Sequence, residues 1–197
     1  MPQDDLKQII SQVAEEKAGE EEKKIESLQV LVFELDGEEY AVNIIDLREI
    51  ITIPEITPIP NSPKFIRGIL NLRGQIVVVI DLEKRFDLVR ENKIKSKHII
   101  VTQVQENDFG VMVDNVKEVL TIPTDKVRPT PDLVSTKVHA DYLSGVIVLG
   151  GEEDEGEKND QQESRLIVIL DLPKLLQDKE LLQLGKTIKK TTHLKEE

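Results

Sequence analysis

A repeat within the chain constrains its fold more than any other feature. The run Tyr40-Ala-Val-Asn-Ile-Ile-Asp-Leu-Arg-Glu-Ile-Ile-Thr-Ile-Pro54 lies over Phe109-Gly-Val-Met-Val-Asp-Asn-Val-Lys-Glu-Val-Leu-Thr-Ile-Pro123 at a constant offset of 69 residues, with polar and apolar character kept at nearly every position. Further on, Pro58 and Pro60 fall on Pro129 and Pro131, and Phe65 to Leu72 falls on Tyr142 to Leu149. Ile76 to Leu82 falls on Leu166 to Leu172, with a one-residue slip. The offset grows to 90 because an acidic segment, 150–163, stands where the first copy has only the tight Arg73-Gly74 connection. Two similar subdomains follow, about 28–90 and about 97–172. A charged extension, 1–27, precedes them and a tail, 183–197, follows.

Each copy consists of short β-branched runs broken by Pro, Gly, Asn and Asp, the pattern of a small antiparallel barrel or sandwich. Strands are expected near 29–36, 39–45, 50–53, 66–72 and 75–81, and again near 97–105, 109–114, 118–122, 143–149 and 165–171. The fold class is therefore mostly β, with five strands per copy and short helices. Those helices are expected at Leu82 to Val89 and Pro173 to Leu184, with Pro173 suited to a first helical turn and Asp171 to its cap. In the extension, Leu6, Ile9, Ile10, Val13 and Ala14 recur at helical spacing; the stretch is either an amphipathic helix or a frayed tail.

Charge separates the appendages from the body. Of the net −12, residues 1–27 carry −4 and residues 150–163 carry −6, leaving a nearly neutral remainder. Both segments read as solvated, since neither holds enough apolar surface to offset its ordering entropy. Nucleic acid is a poor partner for such a chain: basic clusters are missing and Phe, Tyr and Trp together number six. No apolar window reaches the roughly 18 residues of a membrane helix, and Met1 to Leu6 lacks the pattern of a secretion signal, so a cytoplasmic location is expected. With no cysteine, disulfides and thiolate sites are excluded. His98, His139 and His193 are too scattered for a metal cluster.

Little in the chain suggests catalysis. Asp81 and Asp171 are equivalent in the repeat, and helix capping accounts for both better than an acid/base pair. Gly150-Gly151 lacks the setting of a phosphate loop. Arg73 is more informative. Gly74 can close a hairpin with positive φ, leaving Arg73 at its tip, either as a soluble turn residue or as a forked donor to a partner's carboxylate or carbonyls. Leu47 and Ile50 would pack in a core by default. Their equivalents Val116 and Val119 raise another possibility, an apolar cleft between the copies that accepts a helix or hairpin.

These residues resemble a known family, the chemotaxis coupling proteins called CheW. The resemblance runs in order through Val32-Phe33, Gly37-Glu38-Glu39-Tyr40-Ala41-Val42, Arg48-Glu49-Ile50, Thr57-Pro58-Ile59-Pro60, Phe65-Ile66-Arg67-Gly68, Asn71-Leu72-Arg73-Gly74, Ile80-Asp81-Leu82, Val113-Asp114 and Tyr142-Leu143-Ser144-Gly145. It covers about residues 28–182.

What the resemblance implies is two interlocked five-stranded SH3-like barrels. It also implies an adaptor without catalysis or cofactor, linking the cytoplasmic tip of chemoreceptors (methyl-accepting chemotaxis proteins) to the regulatory domain of the histidine kinase CheA in signalling arrays. The family's receptor groove looks similar here to Leu31, Ile44, Leu47, Ile50 and Val116, with Glu49 and Arg73 as polar contacts and Gly68 and Gly74 shaping the strands and turn. The acidic 150–163 segment and the charged extension depart from the family's pattern. Three other readings fit less well. A coupling domain fused to a phosphoacceptor domain would need more than the 15 residues after Leu182. A nucleic-acid-binding barrel would need a basic face, and a double-barrel enzyme would need convergent acid, base or metal residues.

Overall fold

The computed structural model of the chain describes residues 26–88, 96–129, 138–150, 164–177, 181–183 and 185. The helical pattern of Leu6 to Ala14, Pro131, most of the acidic segment, His193 and most of the tail lie outside them. Eleven strands are seen among the described residues: β1 Ser27–Leu35, β2 Glu38–Asn43, β3 Leu47–Thr52, β4 Ile66–Leu72, β5 Gln75–Asp81, β6 His98–Val104, β7 Asn107–Val113, β8 Asn115–Pro123, β9 Val127–Arg128, β10 Leu143–Leu149 and β11 Arg165–Leu170. β-Branched and aromatic runs such as Val30 to Phe33 favour the pleated, buried surface. Asp36-Gly37 and Arg73-Gly74 have positive φ at both residues, the backbone that matches the twist of a two-residue hairpin.

Three differences from expectation are local. The strand expected over 39–45 stops at Asn43, whose Oδ1 accepts from the Ile45 amide and starts a 3-10 turn, Ile44–Asp46. β3 and β8 each begin three residues before the expected start, because a charged residue in each is bulged and hides the alternation. The expected helices are short or interrupted: α1 is Leu82–Arg85 and α2 Leu172–Leu176, and beyond Gln177 residues 181–183 and 185 are helical again. Asp87, at φ 52° in the left-handed region, closes the first. Val89 and Leu184, the expected ends, lie outside the described residues. Asp81 and Asp171 do cap them, their Oδ1 atoms accepting from the Lys84 amide at 3.2 Å and the Lys174 amide at 2.9 Å.

The strands form two sheets, ordered β8-β1-β2-β11-β10-β9 and β3-β6-β7-β5-β4. Laid over the repeat, β3 corresponds to β8, β6 to β1, β7 to β2, β5 to β11 and β4 to β10. Apart from the additional β9, both sheets therefore have the same order, and each takes a hairpin from one copy and the remaining strands from the other. The join is parallel in both, β5 with β7 and β11 with β2. The limits 28–90 and 97–172 thus divide the repeat, whereas the sheets divide elsewhere.

Burial follows this exchange. Val30, Val32, Ala41, Ile122, Ile147, Ile167 and Ile169 form a cluster within the first sheet, and Leu70, Val77, Val79, Ile99 and Val101 form one within the second. The largest cluster among the described residues lies between them and draws on both sheets and both helices, including Phe33, Tyr40, Ile80, Ile100, Phe109, Val168 and Leu172. At about 1.5–3 kcal/mol for each large side chain fully buried, this shared core fastens the sheets into one body. No helix among the described residues is long and apolar enough to cross a membrane.

Candidate functional site

β8 and β3 are the edge strands at matching ends of the two sheets, and both carry the same irregularity. Leu47 pairs with Thr102 and Glu49 with Val101, leaving Arg48 out of register; Val116 pairs with Phe33 and Glu118 with Val32, leaving Lys117 out of register. A regular strand would turn residues three apart to opposite faces. Each bulge instead sets Leu47 with Ile50, and Val116 with Val119, on the face of the shared core. Leu47 and Val116 pack half-buried against that core. Ile50 and Val119 stand directly beside its buried residues Ile100 and Leu31 on the neighbouring strands, yet are 41% and 49% exposed.

The expected site residues are thus only partly brought together. Leu47 and Val116 both pack against the shared core, Ile50 lies on the same side of β3 as Leu47, and Ile44 lies on the adjoining 3-10 turn with the still more exposed Ile45. Leu31 is 3% exposed, so it forms floor rather than surface. Glu49 points the other way, beside Val101 of the second sheet's own cluster, and binds the Arg73 guanidinium at 3.1 Å. That pair joins the β4-β5 hairpin tip to β3, at opposite ends of the strand order, and so shows how far the sheet curls. Val119 belongs with the face although the set inferred from the family lacked it; its alignment with Ile50 in the repeat was the available signal.

The two glycines differ in their surroundings. Gly74, at φ +87°, has open space where a Cβ would project, and its amide donates to Asn71 Oδ1 at 2.8 Å. Gly68, at φ +150° beside a bulge in β4, leaves room only for hydrogen: a Cβ would lie 2.2 Å from the Thr57 carbonyl oxygen. Its repeat partner Gly145, at φ +157°, is crowded in the same way by the Arg128 carbonyl.

Charge is organised by the same symmetry. Arg48 meets the buried Asp108 at 2.6 Å, and Lys117 meets Glu39 at 2.8 Å; both members of one pair are repeat partners of the other pair. Arg165 adds bonds to Glu39 and to Glu118. The Arg165 hydrogen bond, foremost, and Lys117 hold the Glu39 carboxyl below its ordinary value, against the opposing effect of burial. A carboxyl whose pKa is depressed on folding stabilises fully above its unfolded value, here 4.5, and loses that contribution as pH falls through the lower folded one. The melting-temperature advantage of wild type over Glu39→Gln should therefore shrink from about pH 5 to about pH 3. A constant gap across that range in parallel thermal melts would remove the ionised Glu39 from the network. On the turn, burial and then the neighbouring Asp171 raise the Asp46 carboxyl above its usual range.

Among the described residues no cluster of His, Cys, Asp or Glu is arranged to hold a metal. The arrangement offers partly exposed apolar side chains along both edge strands, with the ion pairs on the opposite faces of the sheets, suited to docking a protein segment.

Comparison with known proteins points the same way. The sequence profile of the CheW-like domain matches residues 29–180. The chemotaxis protein CheW of Klebsiella aerogenes is 31% identical over 172 residues, covering 87% of this chain and 90% of that one. CheW of Thermotoga maritima is 30% identical, covering 78% and 91%. Among solved structures, the scaffolding protein TtCheW from Thermoanaerobacter tengcongensis superposes with a TM-score of 0.64 at 31% identity, covering 79% of this chain and 91% of that one.

Proposed function

Because this chain belongs to the CheW family, we propose that it serves chemotaxis as a non-catalytic adaptor in the cytoplasm, binding the cytoplasmic tip of a chemoreceptor with one surface and the regulatory domain of the kinase CheA with another. The observation that carries the receptor assignment is the apolar face of Leu47, Ile50, Val116 and Val119, partly exposed above a core that both sheets share. A receptor-tip helix or hairpin would cover Ile50 and Val119 and gain affinity from their burial. Arg73 and Glu49, around the edge of β3, would orient the partner by exchanging or extending their mutual bond. Separate interfaces of modest strength then assemble cooperatively, since one bound partner raises the effective concentration of the next. Control of the kinase requires only that receptor engagement differ in free energy between kinase states.

The test is Arg73→Glu. Its side chain is 80% exposed, so the melting curve should stay near wild type, while affinity for a receptor-tip fragment falls about ten-fold or more through repulsion by Glu49 and loss of the forked donor. Unaltered affinity in calorimetric titration would remove Arg73 from the interface.

A further inference from the structure

The register of β3 decides which side chains reach the shared-core face. With Glu49 kept opposite Val101 and the bulge at Arg48 removed, Arg48 would oppose Thr102 over the shared core, and Leu47 would oppose Gln103 on the other face, the face of Asp108. A slip of one position thus removes Leu47 from the face and puts a guanidinium there.

The side chain of Arg48 has a specific anchor. Its Nη1 donates to Asp108 Oδ1 at 2.6 Å and to Gln75 Oε1 at 3.4 Å. Asp108 is only 4% exposed and sits on β7, two strands inward from β3 and beyond β6. In the slipped register the guanidinium would leave that carboxylate buried without its cation, a state that strongly disfavours the slip. The second copy repeats the device with different chemistry: Lys117 is the bulged residue of β8, and it reaches past β1 to Glu39 on β2. Two independent copies of one arrangement, each joining strands from opposite copies of the repeat, indicate that the cation and the bulge belong together.

We infer that Arg48 and Asp108 are positioning residues for the receptor-facing surface: their ion pair pins the β3 bulge and so holds Leu47 and Ile50 on a common face. The inference rests on the reading of that face as the receptor surface. It adds that affinity there depends on a pair which does not itself belong to the apolar face.

The full-length chain tests it with three variants: Arg48→Met, Asp108→Asn, and the double change Arg48→Lys with Asp108→Glu, which transplants the chemistry of the twin pair. Each is titrated with a receptor-tip fragment and, separately, with the CheA regulatory domain, and the pairing of Leu47 with Thr102 is followed by NMR. The single changes should weaken receptor binding about ten-fold or more and abolish the Leu47–Thr102 pairing, leave kinase-domain affinity within about two-fold, and be largely reversed in the double variant. A Leu47–Thr102 pairing that persists in Arg48→Met, or a double variant no better than the singles, overturns the inference. If receptor binding survives Ile50→Asp in the wild-type background, it is the assignment of the face that fails, whereas the NMR contact still judges the pinning of the bulge by itself.

Discussion

Gly68→Ala is expected to lower the melting temperature by roughly 10 °C, the largest loss of stability from adding a single methyl at the candidate-site glycines. Two effects combine. The residue has φ +150°, a region nearly closed to side chains, and the new Cβ would sit 2.2 Å from the Thr57 carbonyl oxygen. That oxygen cannot retreat freely, because it accepts from the Ile69 amide at 2.8 Å while the Thr57 amide donates back to the Ile69 carbonyl at 2.8 Å. Strain and overpacking of about 1–3 kcal/mol each give about 3 kcal/mol or more. Gly74→Ala is the control: it meets no neighbour within 4 Å, so only the strain of φ +87° remains, about 1 kcal/mol. Equal melting temperatures for the two variants would mean that the Thr57 segment does not press on β4.

Ile50→Asp is expected to produce the largest loss of binding. At 41% exposure the side chain is open enough for an aspartate to be solvated in the free protein, so the fold should survive. In the complex the same position would be covered, and losing about 2–3 kcal/mol of burial while desolvating a carboxylate corresponds to a weakening of about 100-fold. Val119→Asp, its repeat partner at 49% exposure, should act in the same direction. Titration of both variants with a receptor-tip fragment and with the kinase regulatory domain separates the surfaces. Loss confined to the receptor arm supports the assignment, and receptor affinity unchanged in both variants refutes it.

Residue by residue, the legible features were those that act over short distances. Asp81 and Asp171 announce helix caps because a carboxylate satisfies amides only three positions away, as both do. Gly74 announces a turn because positive φ is a property of one residue. The bounds 66–72, 75–81 and 143–149 coincide with β4, β5 and β10, where Gly or a 3-10 turn stops the alternating run at its end. Strand β3 was read too short because Arg48 interrupts the alternation, and nothing within a few residues shows that its charge is matched by Asp108 from the other copy.

The amino-acid order by itself determined a duplicated β chain, its turns and caps, and its membership in the CheW family, since repeats, strand periodicity and capping are written in neighbouring residues. Only the tertiary structure decided that the copies exchange hairpins, that Leu31 is floor while Val119 is surface, and that Arg73 and Glu49 hold each other. Each of those depends on groups far apart in the chain whose meeting is settled by the burial of a core common to both sheets.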